Sequence, residues 1–588
     1  MRWLGRLLFV VALALAVVAG YPSATGVALL AGARMGLAGA TPPGWLHVQR
    51  DGGGLPYIAD AEGRRVVLRG ATAAGLLDYW SGPDTALDTP PPYYPIGPAA
   101  YVDGCPANST TIRVPPLCRQ DLDQMRALGF DVLRLPLSWS LLEPRPGVVD
   151  QKYLDRIAQV VGWARQAGLY VILDMHQNAY SRFIPASSAS LPGGTGPARR
   201  DYSGAPAWAT FSDGLPFENY LGQREVDPAV FEAATSFWLN RDHLQDHYIE
   251  AVAALARRFR DDSTVAGYSL YNEPWPGWAV PPPFDDLWLY PFYRRVIDAI
   301  TGASDGAACP AFASALPVCG HADLGVHDRR HLVFLDAGLW RQIVDLPTRV
   351  PLPVSSYPNV VLSIHAYTHK YTVDALLGQP PDRAPYPFGG YDQSYAAAEL
   401  EARAMGAALF VGEFGDEVSE DGLLLTNQLL EQERHRVGGT FWIWKENCSP
   451  GAPWGVYAGV GPNQRCAYDQ PAAARDTGPQ PPNGCLRAGR ERLLARVYPS
   501  AAAGSGLSYG YDPATGAFHL AATAPAGAAE TLVVVPPEVR GEASAGGAAE
   551  LTGADVDAAG GRVLHVRPLG GAYTVTVAAA PPRLTGCA

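Results

Sequence analysis

The chain has 588 residues, 48% hydrophobic and 17% charged, which is enough apolar material for a large buried core. Its formal charge of −12 argues against a nucleic-acid binder and against a basic surface that seeks anionic lipid. The 63 glycines and 53 prolines concentrate between periodic segments, which points to long ordered loops more than to disorder.

In chain order, Arg2 and Arg6 precede an unbroken apolar stretch over residues 7–20. That is shorter than the roughly 20 residues of a spanning helix and suits the core of a signal peptide. Ala38-Gly39-Ala40 or Val17-Val18-Ala19 offers a cleavage site, with an uncleaved anchor as the alternative. A secreted or cell-envelope protein is expected. The eight cysteines fit an oxidising setting. Cys105 with Cys118 and Cys309 with Cys319 would close short loops, although spacing does not fix the connectivity. No Cys-x-x-Cys or His cluster suggests a structural metal, and no cofactor is expected.

From about residue 45 the pattern is that of a parallel α/β fold. Apolar runs predict strands at residues 65–70, 132–137, 170–175, 267–271, 332–336, 360–365, 408–413 and 440–444. Eight is the number that closes a (β/α)8 TIM barrel. Helices are predicted at residues 121–128, 153–166 and 247–259, with Gly129 and Gly168 at C-terminal caps. The unusual lengths, residues 81–118, 181–237 and 447–485, all follow strands and so emerge at the face where barrel active sites lie. The resulting division is residues 1–40 as signal or hydrophobic segment, 45–499 as catalytic barrel and 500–588 as a C-terminal β-sandwich. Within the last, strands are predicted at residues 517–523, 531–535, 563–566 and 572–578. No long Ser/Gly tether precedes it, so it is expected to pack on the barrel.

Two glutamates carry the chemistry. Glu273, in Asn272-Glu273-Pro274, and Glu413, in Gly412-Glu413-Phe414-Gly415, each follow a strand-like apolar run. Facing carboxylates, one an acid/base and the other a nucleophile, are what retaining cleavage of a glycosidic bond needs, at roughly 5–5.5 Å separation. Other strand ends add partners. Arg134 needs a carboxylate, and Glu413 is the candidate. His176 and Asn178, in Asp174-Met175-His176-Gln177-Asn178, offer contacts to sugar hydroxyls. Asn272 can bond the 2-hydroxyl, His365 can orient the acid and Tyr367 can hold the nucleophile. Trp442 and Trp444 share a side of the last strand, and Trp444 is expected to be the one meeting the sugar. Residues 275–293 hold many aromatics; Trp275, Trp278 and Trp288 either line an apolar aglycone groove or belong to a loop packed on its own barrel.

These motifs resemble glycoside hydrolase family 5, in its endoglycoceramidase-related branch. Beyond the two glutamate motifs, the resemblance rests on Asp174-Met175-His176-Gln177, Ser181-Arg182-Phe183, Gly204-Ala205-Pro206-Ala207-Trp208, Gly214-Leu215-Pro216-Phe217 and Trp275-Pro276-Gly277. It runs from about residue 45 through Tyr511-Asp512-Pro513. It implies a β-glycosidase with Glu273 as acid/base and Glu413 as nucleophile, acting on glycolipids by releasing the intact sugar from the lipid. Relatives have Asp where this chain has Asn178, and a glycan-touching lysine is missing from Arg69-Gly70-Ala71-Thr72-Ala73-Ala74-Gly75. The glycan therefore stays open, and steryl glucosides remain candidates. The expected protein is a monomer with peripheral membrane or detergent-like contact. The alternatives are an endo-β-glucanase or mannanase acting on polysaccharide, and a non-catalytic glycan- or lipid-binding wall protein.

Overall fold

Eight apolar runs form parallel strands buried on both faces: β1 (Arg69–Thr72), β2 (Val132–Leu137), β3 (Tyr170–Met175), β4 (Val265–Ser269), β5 (Leu332–Asp336), β6 (Val360–Ala366), β7 (Ala408–Phe414) and β8 (Gly439–Phe441). Each pairs with the next, and β8 pairs with β1, so the sheet closes into a TIM barrel. A computed structural model of the protein describes residues 43–50, 54–77, 117–184, 192, 194–197, 203–220, 225–279, 284–302, 323–338, 341, 345, 354–372, 375, 378, 390–446, 454–458 and 485–586. The apolar stretch 7–20 and most of the long loops 81–118 and 447–485 lie outside those residues. So do the side chains of every cysteine but Cys118, and with them both suggested pairings. Among the described residues no helix is long and apolar enough to cross a membrane.

The surrounding helices begin and end where their caps dictate. Helix α1 (Arg119–Ala127) starts at a capping box closed by Asp121. Asp150 caps α2 (Gln151–Ala167), which stops at left-handed Gly168, and Asp227 caps α3 (Pro228–Trp238). Helices α4 (Leu244–Phe259), α5 (Tyr290–Thr301), α6 (Tyr391–Met405) and α7 (Thr426–His435) complete the ring.

The C-terminal domain is antiparallel β. The predicted strands over 563–566 and 572–578 are one strand, Arg562–Val577. Its first half pairs with Thr531–Val535, its second with Phe518–Ala524, and its other edge with Ala543–Val556, a strand the sequence reading did not anticipate. The stretch predicted as the first barrel strand is also divided. Arg65–Val66 pairs with Tyr498–Ala502 of the C-terminal sheet, and only from Arg69 does the chain enter the barrel. His47–Gln49 and Tyr57–Ala59 extend that same sheet.

Along β2–β7, alternation points every second residue into the lumen. Val132, Ile172, Phe334, Val361 and Phe410 fill its base, sealed by Leu46, Val48 and Ile58 from the N-terminal strands. Further along the same strands the inward positions become polar.

Candidate active site

The polar layer consists of Arg134, Asp174, Asp336 and His365, all buried. A guanidinium so placed is stable only among carboxylates. Arg134 Nη1 pairs with Glu413 Oε1. Its Nη2 lies 3.0 Å from Asp174 Oδ2 and 3.8 Å from Asp336 Oδ2, and donates to Asn272 Oδ1 at 2.7 Å.

A β-bulge aims Glu413. Ile364 pairs with Val411, but His365 pairs with Glu413, so β7 has one residue too many at Gly412. A Cβ there would sit 2.3 Å from Ser363 Oγ, which explains the glycine. The second Glu413 oxygen accepts from Tyr367 Oη at 2.9 Å. Glu273 follows β4 in a left-handed conformation, φ 41°. Its neighbours hold that geometry: Glu273 N donates to Asp336 Oδ2 at 3.2 Å, and Gln177 Nε2 donates to the carbonyls of Asn272 and Glu273 at 2.7 Å each. Asn272 Nδ2 returns a bond to the Gln177 carbonyl at 2.8 Å.

His365 joins the glutamates. Its Nδ1 is 2.9 Å from Glu273 Oε1 and 3.6 Å from Glu413 Oε2, and its Nε2 is 3.0 Å from Asp336 Oδ2. One oxygen of Glu273, one of Glu413 and a His365 nitrogen all lie within 4.8 Å of one another. Glu413 is buried, whereas the Glu273 side chain is 35% exposed. Burial alone would lower the His365 value, but the charges of Glu413 and Asp336 and the bonds to Asp336 and Glu273 drive it well above the ordinary imidazole range. Burial would raise Glu273, yet the bond to and charge of His365, with His176, hold it below its ordinary carboxyl value. The proton shared by this pair therefore rests on His365 in the free site, one hydrogen bond from Glu273.

The structure thus brings together Arg134, Asn272, Glu273, His365, Tyr367 and Glu413. His176 adjoins them, with Nδ1 2.9 Å from Asp174 Oδ2 and its ring stacked 5.3 Å from Trp442. Asn178 stands just beyond, its backbone bridged to Ser203. Trp444 is a correction. Its indole is buried, donating to Asp121 Oδ1 at 3.0 Å and packing on Phe130 and Tyr457. The barrel strand stops at Phe441, so its alternation does not reach position 444, and Trp442 is the indole beside the site. Within the aromatic segment, Phe284, Tyr290, Phe292 and Tyr293 belong to the barrel core, with Trp275 and Trp288 half-buried against it. Trp278 is 52% exposed and packs on Phe231 of α3. Sequence reasoning missed Asp336, although an acid closing the apolar run of β5 is the same signal that singled out Arg134.

Among the described residues two groups have ligand spacing for a metal ion: Glu273–His365–Glu413 and Asp392–Glu431–His435. Arg134 already neutralises Glu413 in the first, and Arg434 contacts Asp392 and Glu431 in the second.

The Cellulase family, glycosyl hydrolase family 5, matches residues 104–447. Endoglycoceramidase I of Rhodococcus hoagii is 25% identical over 406 residues, 67% of either chain. The crystal structure of an endogalactoceramidase superposes with TM-score 0.65 at 27% identity, over 91% of this chain and all of that one. The lactosyl-enzyme intermediate of endo-glycoceramidase II from Rhodococcus sp. gives TM-score 0.61 at 25% identity, over 90% and 100%. With the family match spanning more than half of its length, the chain belongs to glycosyl hydrolase family 5 and is an O-glycosyl hydrolase.

Proposed function

We propose that the protein is an exported retaining β-glycosidase that cleaves glycolipids between sugar and lipid, as the similarity to an endoglycoceramidase and an endogalactoceramidase suggests. Glu413 attacks the anomeric carbon while Glu273 protonates the leaving oxygen, drawing on the proton that His365 holds. The glycosyl ester on Glu413 is then hydrolysed by a water that Glu273 deprotonates. The observation that carries this reading is the close approach of the two carboxylates, within 4.8 Å oxygen to oxygen. Inversion needs roughly 6.5–9.5 Å to admit a water between them. The relative captured as a lactosyl-enzyme supports the covalent route. Arg134 and Tyr367 hold and aim the Glu413 carboxyl, and Asn272, fixed by Arg134 and Gln177, is placed for the 2-hydroxyl. The apolar stretch over residues 7–20 supports export.

The test has two parts. A 2-fluoro glycoside should leave a stable adduct on the peptide containing Glu413; labelling elsewhere would sink the assignment. Product analysis on glycosylceramides, steryl glucosides and soluble β-glucan should show intact sugar released from lipid. Turnover of β-glucan alone would move the reading to an endo-β-glucanase.

A further inference from the structure

Helix α8 (Ala488–Leu494) sends the side chain of Arg490 to the segment 454–458, and Arg487 just before it does the same. Arg487 donates to the carbonyls of Gly455 and, at 2.9 Å, Tyr457. Arg490 is fully buried and reaches further. Its Nη1 donates to the Trp454 carbonyl and, at 3.3 Å, to that of Gly455. Its Nη2 donates to the Asp416 carbonyl, and Nε and Nη2 each reach the Asp421 carboxylate at 3.0 Å. The guanidinium also lies 4.9 Å from the centre of the Phe441 ring on β8. One buried cation thus ties the chain that follows β7 to the chain that follows β8.

Both ends of that tie lead to Glu413. Asp416 comes just after it, and Gly415 between them leaves no slack, since a Cβ there would sit 2.4 Å from the Trp442 carbonyl oxygen. From the other side, the Trp454 ring meets Tyr367 at 5.9 Å, and the Tyr367 hydroxyl donates to Glu413 Oε2 at 2.9 Å. An arginine kept only to neutralise Asp421 would use one edge of its fork; here the remaining N–H groups go to carbonyls of two separate segments. The helix is held from behind. Glu491, next to Arg490 and also buried, accepts from Thr585 N, Thr585 Oγ1 and Gly586 N at 2.7 Å each, beyond the last strand of the C-terminal domain.

We propose that Arg490 is a positioning residue for the nucleophile, and that Thr585 and Gly586, by fixing Glu491, keep it in place. This rests on the assignment of Glu413 as nucleophile above. Without the bridge, the end of β7 and the Tyr367 hydroxyl lose their common anchor, and the Glu413 carboxyl is no longer aimed at the anomeric carbon.

The 2-deoxy-2-fluoro β-fluorides of glucose, galactose and lactose test it. Glu413 forms the ester bond as fluoride leaves the anomeric carbon, and fluoride needs no proton from Glu273, so the inactivation rate reports the nucleophile. Labelling at completion, read by intact mass, counts the competent sites. Arg490→Lys keeps a charge for Asp421 but has one nitrogen, which cannot serve both segments. With the fluoride that labels the wild type fastest, its inactivation rate constant should fall about tenfold or more while labelling still reaches one per chain. Thr585→Pro, at an exposed position, removes three bonds to Glu491 and should slow inactivation about twofold or more. A purely structural arginine would lower the labelled fraction and leave the rate constant alone. That result overturns the proposal, as does an unchanged rate in Thr585→Pro, which decides by itself if Arg490→Lys does not fold. Labelling away from Glu413, or by none of the three fluorides, defeats the nucleophile assignment and the proposal with it; Glu413 labelled at unchanged rates sinks the positioning role alone.

Discussion

Two networks of buried charge can be compared, one at the mouth of the barrel and one at its base, where the C-terminal domain docks. At the base, Asp131 accepts from Arg69 N at 2.7 Å, and Tyr498 Oη donates to the Gly129 carbonyl at 2.9 Å. Glu433 takes Arg496 at 2.7 Å and the Tyr511 amide at 3.2 Å. Gly129 has no room for a Cβ, since Pro536 Cγ would lie 2.8 Å away. At the mouth Arg134, Asp174, Asp336 and His365 are just as buried, but the network ends on Glu273, which remains reachable from solvent. The same pairing physics makes a staple where every anion meets a fixed donor. It makes a reactive pair where one carboxylate can still exchange its proton.

The largest expected effect breaks the mouth alone. Glu413→Gln or Glu273→Gln should lower kcat by about three orders of magnitude or more with little change in melting temperature. A kcat within tenfold of wild type would remove either residue from the chemistry. Next comes a matched pair of cuts. Arg134→Leu strands Glu413, Asp174 and Asp336, and Arg496→Leu strands Glu433; each should cost about 3–5 kcal/mol of stability. Only the first should abolish turnover of the protein that remains folded. Equal activity losses in urea-calibrated samples of the two variants would erase the distinction between the regions.

Much of the mouth was legible because barrel strands are near-continuous apolar runs, so a charged residue ending one stands out. Arg134, Glu273, His365 and Glu413 all announce themselves this way, and the strands at 132–137, 170–175 and 332–336 fall where apolar periodicity places them. The remainder depends on contacts distant in sequence. Nothing local shows that Arg65–Val66 pairs with Tyr498–Ala502, or that Trp444 turns inward to Asp121. Pro568 and the Gly570-Gly571 pair interrupt the pattern of Arg562–Val577 and made one long strand read as two. The aromatics at 275–293 leave groove and self-packed loop equally open in the sequence, because composition cannot separate an apolar lining from core filling.

A smaller effect sharpens the comparison through protonation. Asp336 is one of the anions that keep His365 charged. Asp336→Asn removes that support, so His365 loses its proton at lower pH than in the wild type. The alkaline limb of the kcat/KM profile should move to lower pH, with kcat at neutral pH down about tenfold. The same substitution at the base, Asp131→Asn, should leave the profile in place. An unmoved limb in Asp336→Asn would mean that the His365 proton is not the one the reaction uses.

The base has its own, weaker dependence on pH, visible only in stability. Burial pushes the Asp131 carboxyl up from its ordinary 3.8 to about 7, against the Arg69 amide, Tyr498 and the charges of Arg126 and Arg69, which all act to lower it. A carboxyl raised by folding holds a proton that the unfolded chain has already released. Its contribution is therefore complete below pH ~4 and is lost as pH rises through about 7. Above that the folded protein carries a buried carboxylate at a cost on the order of a few kcal/mol. Asn at this position can still accept from Arg69 N but never ionises, so Asp131→Asn should melt closest to wild type near pH 4 and increasingly above it toward pH 7. His365 and Glu538, also raised by their surroundings, tilt both proteins in the same direction, so the informative quantity is the difference between the two melting curves. That difference should open between pH ~4 and about 7 and stay level above it. If the curves stay parallel from pH 4 to 8, Asp131 is ionised throughout, and the base carries no stability cost from its own carboxylate.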